Sequence, residues 1–133
     1  MTIDHAYVRN LFQEWASGNP DAFFAAVHED VAWTVMGTHP LAGHYNGKAD
    51  LFDRAFGRLL NVLRNGVTMS VRDVFVDGPV AIAELRSTGT ALNGRRYNNQ
   101  YCWIMHFDTV GRICRLTAYL DSALVNSVLE ENE

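Results

Sequence analysis

The chain has few of the residues that mark secreted, membrane-spanning or nucleic-acid-binding proteins. Its 133 residues include two cysteines, too few for a disulfide framework, so we expect Cys102 and Cys114 to be free, buried thiols. The longest apolar run, Ala22 to Val27, falls far below the roughly 20 residues of a membrane-spanning helix. One lysine and a net charge of -4 provide no basic surface for nucleic acid or anionic lipid.

Signals for export and for several common chemistries are also missing. The segment Met1 to His5 is polar and lacks the basic flank and apolar stretch of a secretion signal, so we expect a cytoplasmic protein. The chain contains no GxSxG motif, no Walker loop and no dinucleotide fingerprint. Nucleotide chemistry and nucleophilic hydrolysis are therefore not supported.

The composition is that of one folded domain. Hydrophobic residues make up 48% of the chain, aromatic residues 11% and charged residues 20%, which is typical of globular rather than disordered proteins. A chain of this length accommodates one hydrophobic core. We therefore predict a single domain over residues 1–133.

The first half of the chain shows mainly helical spacing of its apolar residues, and the second half shows strand patterns separated by turn residues. Capping and turn residues set the boundaries of each element. In the first half we predict helices from the cap Thr2 to Gly18, from Ala22 to about Val27 and from Gly47 to about Leu63, a strand at 31–36 and a long loop at 37–47. In the second half we predict four antiparallel strands, Val67–Val76, Val80–Thr90, Arg95–Phe107 and Arg112–Leu120, and a short helical tail at 123–129.

This order of elements resembles the nuclear transport factor 2-like superfamily, which includes ketosteroid isomerase, and most closely its SnoaL-like polyketide cyclases. Local sequence supports the resemblance: GNPDAF at 18–23, VAWTVMG at 31–37, PLAGHYNGK at 40–48 and YLD at 119–121. The resemblance implies an α+β fold in which a cone-shaped, curved antiparallel sheet wraps around helices, as in a cystatin-like α+β roll. It also implies a deep apolar pocket for a small hydrophobic molecule, no cofactor, and a homodimer through the outer sheet face.

The familiar catalytic residues of these relatives are absent. Alignment on the turns puts Leu11, Thr34 and Trp103 where ketosteroid isomerase carries its tyrosine, its base and its protonated acid. It puts Ala118 where SnoaL-like cyclases carry an acid on the final strand. None of these side chains can move a proton at neutral pH, so ketosteroid isomerisation is excluded.

Two places in the sequence offer carboxylates for catalysis. Glu84 and Arg86 are two residues apart on one predicted strand and share a face, which is either the pocket face or an exposed outer face. Asp121 ends the last strand, where it is either a general base at the pocket mouth or, as we favour, the N-cap of the tail helix. We take these three residues as the catalytic candidates.

Five residues are candidates for the pocket wall: Trp33, His39, Asn99, Tyr101 and Trp103. Strand alternation puts Asn99, Tyr101 and Trp103 on one face, and polar tips on an apolar face need a partner or a ligand. His39 lies in the loop that borders the pocket in this fold. Its spacing from His44 is not a metal signature, so we predict no metal site.

These candidates leave three functions open. The first is a cofactor-free acid/base enzyme of cyclase, isomerase or hydrolase type that acts on a hydrophobic carbonyl or ring compound. The second is a module that binds a small molecule in the same pocket without chemistry. The third is a dimer-forming interaction unit, which a pocket filled by its own side chains would favour.

Overall fold

Capping residues and one left-handed glycine determine where the first helices begin and end. In the computed structural model, which describes residues 1–133, helix α1 (His5–Phe12) begins after Asp4, whose carboxylate accepts the Tyr7 amide N–H at 2.8 Å. The cap is thus Asp4 and not the expected Thr2. A 3-10 turn, Trp15–Ser17, ends at Gly18, and the short helix α2 (Asp21–Ala25) follows.

The middle of the chain contains more regular structure than the sequence suggested. Strand β1 (Val27–Val35) is followed by a short strand, β2 (Gly43–Asn46), inside the segment predicted as a loop. One helical stretch then runs through α3 (Lys48–Leu51), a π-helical turn (Phe52–Phe56) and α4 (Gly57–Leu60). A Cβ atom at residue 57 would collide with the Phe52 carbonyl oxygen, so the wide turn requires Gly57.

The third helix ends earlier than predicted because strand pairing begins at Leu63. Strand β3 (Leu63–Asp77) pairs Leu63 with Ala91 on the next strand. Asn65 and Gly66, expected to end the helix, instead form a bulge in β3, with φ values of 58° and 75°. Left-handed conformations of this kind favour Asn and Gly.

The second half is the antiparallel meander that the turn residues predicted. It continues through β4 (Val80–Ala91), β5 (Gln100–Phe107) and β6 (Ile113–Leu120), and the chain ends with helix α5 (Ser122–Asn132). The sheet order is β2-β1-β6-β5-β4-β3, and β1 runs parallel to β6 while the other pairs are antiparallel. The curved α+β sheet packed with helices confirms the predicted fold class.

Aromatic side chains fill the space between the helices and the inner face of the sheet. The Trp103 ring lies at the centre of this cluster, with ring centroids 5.3 to 6.1 Å from those of its neighbours. Those neighbours are Phe12, Trp15, Phe23, Trp33 and Tyr101. Tilted and edge-on ring pairs of this kind add to the stabilisation that burial provides.

The two cysteines differ from their predicted environment in one respect. Both thiols are free, as expected, but Cys102 is only partly buried and Cys114 is exposed. Both side chains point to the outer face of the sheet, since their strand neighbours Trp103 and Ile113 point inward.

None of the helices has both the length and the apolar character that a membrane-spanning helix needs.

Candidate functional site

A cavity lies between the helices and the inner face of the sheet. Its volume is about 90 Å³, and seventeen of its eighteen lining residues are hydrophobic. Helices, loops and strands all contribute to the lining: Trp15, Phe24, Trp33, Val35, His39, Leu41, Leu51, Ala55, Phe56, Leu59, Val67, Met69, Tyr97, Tyr101, Trp103, Ala118, Leu120 and Val125. This space remains between the lining side chains, so the wall does not fill the cavity with its own residues.

On the inner face of the sheet, large residues on β5 pair with small residues on β4. Trp103 pairs with Ala83, and both side chains are buried on the inner face. Met105 pairs with Ala81 in the same way. The small alanines on β4 leave room for the large side chains that pair with them on β5.

The expectation that Glu84 and Arg86 could face the pocket is wrong. Both side chains are exposed, whereas Ala83, which precedes them, and Leu85, which lies between them, are buried. Glu84 pairs with Cys102, and paired residues of an antiparallel sheet point to the same face. The Glu84/Arg86 pair therefore lies on the outer face, and neither residue lines the cavity.

Asp121 is the N-cap of α5, which is the alternative that the sequence favoured. Its carboxylate accepts the Leu124 amide N–H at 3.2 Å, and its side chain is not part of the cavity wall. Its backbone is held from inside by the Asn99 side chain, which accepts the Asp121 N–H at 3.0 Å and donates to the Asp121 carbonyl at 3.1 Å. No carboxylate therefore lines the cavity.

His39 lines the cavity as a neutral side chain whose two nitrogens are both occupied. Nδ1 accepts the Leu41 amide N–H at 3.2 Å, so the ring proton lies on Nε2, 3.1 Å from the Met36 carbonyl oxygen. Burial lowers the pKa of His39, and the hydrogen bond to Met36 opposes this in part. His39 therefore holds the loop 36–41 against the cavity and has no free nitrogen for proton transfer.

His44 is separate from this wall. Its Nδ1 lies 2.7 Å from the Thr34 hydroxyl, and neither residue lines the cavity. The protein contains no group of three His, Cys, Asp or Glu side chains that could hold a metal ion.

A hydrogen-bonded group of four polar side chains, which we call the hydroxyl cluster, forms one end of the cavity. It consists of Ser87, Tyr97, Asn99 and Tyr101, of which the two tyrosines line the cavity. The Tyr101 hydroxyl lies 3.1 Å from both the Ser87 and the Tyr97 hydroxyl oxygens. Asn99 donates its backbone N–H to Ser87 Oγ at 3.0 Å and its Nδ2 to the Tyr97 hydroxyl at 3.2 Å.

Both tyrosine hydroxyls remain protonated at neutral pH. Burial raises the pKa of Tyr97, and its hydrogen-bond contacts with Tyr101 and Asn99 lower it in part. Burial, followed by the neighbouring Tyr97, raises the pKa of Tyr101 well above its ordinary value. The hydroxyls can therefore donate hydrogen bonds, but they cannot act as bases.

Trp103 provides another donor in the same wall. Its indole N–H is buried and has no hydrogen-bond partner, whereas the Trp15 N–H donates to the Val67 carbonyl at 3.0 Å. A buried N–H without an acceptor is costly and is rare in folded proteins. The cavity wall is thus apolar, with two tyrosine hydroxyls and no carboxylate.

Of the five predicted wall residues, four line the cavity and one supports it from behind. Trp33, His39, Tyr101 and Trp103 form part of the wall, whereas Asn99 is buried behind Tyr97. Sequence reasoning missed the role of Ser87 because it left open which residues of β4 face inward. The apolar series Ala81, Ala83 and Leu85 was the available signal for the true inner face.

The fold and the cavity agree with a family match. The model of the SnoaL-like domain matches residues 8–116. The chain belongs to the SnoaL-like domain family. Dimerizing cyclase tstC of Talaromyces stipitatus is 24% identical over 134 aligned positions, and dimerizing cyclase phiC of a fungal species is 25% identical. Each alignment covers 98% of this chain and 59% of the relative, so the SnoaL-like chain spans less than two thirds of their length.

A solved structure shares the fold at low identity. An NTF2-like protein from Burkholderia thailandensis superposes with a TM-score of 0.73 and 22% identity, covering 90% of this chain and 92% of that protein. The similarity shows that this SnoaL-like chain has the nuclear transport factor 2-like fold that its sequence predicted.

Proposed function

We propose that this domain binds a small, mainly apolar molecule in the cavity on the inner face of its sheet. The observation that carries the proposal is the cavity wall, which is hydrophobic except for His39 and the tyrosine hydroxyls. Enclosed apolar cavities with a few polar groups are the usual form of small-molecule sites. An interaction unit without a ligand site is less well supported, because the side chains of the wall leave the cavity unfilled.

The cavity volume limits the size of the ligand. At roughly 10 to 15 Å³ for each enclosed water, 90 Å³ corresponds to a ligand of about six to nine non-hydrogen atoms. A single substituted ring has this size. A larger molecule requires the wall to move, for example at the π-helical turn that carries Phe56.

Intrinsic fluorescence provides a direct binding test, since all three tryptophans line the cavity. We expect acetophenone, a one-ring ketone, to change the tryptophan emission in a saturable way. Ala118→Phe should abolish the change by filling the cavity, whereas Thr117→Phe, one residue along β6 on the outer face, should preserve it. A smaller replacement, Ala118→Val, should weaken binding if the phenylalanine variant does not fold. Equal effects of the inner and outer substitutions would contradict the proposal.

A cyclase-type reaction in this cavity is the second candidate. The two curated relatives are named as dimerizing cyclases, and the donors of the wall could stabilise negative charge that develops on a substrate oxygen. Glu84 has no part in this reaction, because it lies outside. A screen of ring ketones should find turnover that Glu84→Gln preserves and Tyr101→Phe reduces; the reverse pattern would exclude this candidate.

The predicted homodimer through the outer sheet face stays a prediction, as does the cytoplasmic location. Sedimentation of the purified chain, compared with an Ile104→Glu variant on the outer face, tests the dimer. A dimer that the variant converts to a monomer is the expected result, and a wild-type monomer at all concentrations would contradict it.

A further inference from the structure

The hydroxyl cluster has more protons than it has acceptors. Ser87, Tyr97 and Tyr101 carry one hydroxyl proton each, but only two contacts join these hydroxyls, Tyr101 to Ser87 and Tyr101 to Tyr97. The side-chain oxygen of Asn99, Oδ1, already accepts two backbone N–H groups, that of Gln100 at 2.7 Å and that of Asp121 at 3.0 Å. In every arrangement of the hydrogen bonds, one hydroxyl proton has no acceptor within the protein.

Asn99 determines which proton is left over. It donates to the oxygens of both Ser87 and Tyr97. A hydroxyl that accepts a hydrogen bond becomes a better donor, so both of these hydroxyls direct their own protons to the Tyr101 oxygen. Tyr101 then accepts two hydrogen bonds, and its own proton is the one without a partner.

The Tyr101 hydroxyl is also the member of the cluster best placed to reach a ligand. Tyr97 and Ser87 are fully or almost fully buried, with 0% and 2% exposure, whereas Tyr101 is only partly buried and lines the cavity. Its ring lies beside that of Trp103, with centroids 5.9 Å apart, and the Trp103 N–H also has no acceptor. Two neighbouring side chains of one apolar wall thus have unused donors.

We propose that Tyr101 donates a hydrogen bond to an oxygen atom of the bound molecule, and that this molecule is a neutral carbonyl compound. This inference rests on the proposed binding function. No arginine, lysine or carboxylate lines the cavity, and His39 is neutral. A charged carboxylate ligand would therefore be buried without a counter-ion, and an alkylammonium ligand would find no anion.

The test compares two probes that differ in the carbonyl group. Acetophenone and ethylbenzene have similar apolar bodies, but only the ketone accepts a hydrogen bond. We expect Tyr101→Phe to lower the affinity ratio of acetophenone to ethylbenzene roughly two- to twelve-fold, the range for one net hydrogen bond. Ser87→Ala is the matched control, because Ser87 belongs to the hydroxyl cluster but does not line the cavity. It removes one hydroxyl proton and one contact, so Tyr101 keeps its unused proton and the ratio should stay within about two-fold of wild type.

The carbonyl stretching frequency of bound acetophenone gives a readout that does not depend on affinity. A donated hydrogen bond should shift the band below its position in hexane for the wild type and Ser87→Ala, but not for Tyr101→Phe. A loss of the shift in Ser87→Ala, or its retention in Tyr101→Phe, would overturn the assignment to Tyr101. Equal binding of both probes without a band shift would overturn the inference and leave the binding function intact. Failure of both probes to bind would refute the binding function itself.

Discussion

The two faces of strands β4 and β5 differ in almost every property although their residues alternate along the same chain. The inner face carries Ala83 and Trp103, which are both buried in the core, and Trp103 also lines the cavity. The outer face carries Glu84 and Cys102, which pair with each other across the same two strands. Chemistry that looks catalytic in the sequence lies on the outer face, and the inner face offers donors in an apolar wall.

This difference shows that the fold can form an apolar cavity without a carboxylate in its wall. The resemblance predicts acids at the positions of Thr34, Trp103 and Ala118. Of these three residues, Trp103 and Ala118 are part of the apolar cavity wall. A shift of one residue in strand register reverses every face assignment, so a charged pair near the site is weak evidence of catalysis. Burial and pairing decide the question.

The inner face should dominate stability, and Trp103→Ala tests this most severely. Removing the ring that contacts five other aromatic side chains should lower the free energy of unfolding by about 3 to 5 kcal/mol. The neighbouring outer-face change Ile104→Ala should cost about 1 kcal/mol or less. Urea denaturation measures both. Similar losses would mean that the two faces do not differ as described.

Asp121, which follows β6 and begins α5, tests whether its carboxylate serves as a helix cap or in ligand binding. Asp121→Ala should destabilise the protein by about 1 kcal/mol, because the first turn of α5 loses its cap, whereas Asp121→Asn preserves a capping side chain and should cost little. Neither variant should change acetophenone binding. Thermal unfolding and fluorescence titration check both statements. A loss of binding in Asp121→Asn without loss of stability would restore a functional role for this carboxylate.

The histidine that lines the cavity, His39, predicts a pH dependence of stability. Burial lowers the pKa of His39 in the folded protein below its ordinary value of 6.5, so the unfolded chain takes up a proton more readily. The contribution of His39 is therefore complete above pH 6.5 and is lost as the pH falls below it, by at most about 1.4 kcal/mol per pH unit. His39→Gln should lose less stability than wild type between pH 7.5 and 5.5, as measured in urea. Parallel curves for the two proteins would show that His39 is not held neutral.

The smallest effect is expected on the outer face. Glu84→Gln and Arg86→Gln should each change the free energy of unfolding by less than about 0.5 kcal/mol, because both side chains are exposed. Ligand binding should be unchanged. A large loss of binding in either variant would mean that the outer face contributes to the site.

The sequence predicted the architecture because turn residues and periodicity are local signals. The Gly18 stop, the Asp77–Pro79 turn and the meander all follow from them, as does the inward alternation of Tyr101 and Trp103. Strand β2 was missed because four residues give little pattern and form only through pairing with β1.

The site was harder to predict because it depends on contacts between distant segments. The inner face of β4 stayed open in the sequence, since Ala81 and Ala83 are small and the alternating residue Ile82 is larger and equally apolar. The hydroxyl cluster joins Ser87 on one strand to residues 97–101, and part of that segment precedes β5. The number of hydroxyl protons without an acceptor depends on distances between these side chains, and the periodicity of the sequence does not provide those distances.

A crystal structure with acetophenone bound tests the central claim most directly. The account predicts the ring inside the cavity beside Trp33 and Trp103, with the ketone oxygen at hydrogen-bond distance from the Tyr101 hydroxyl. An empty cavity at saturating ligand, or a ketone oxygen directed away from the hydroxyl cluster, would contradict it.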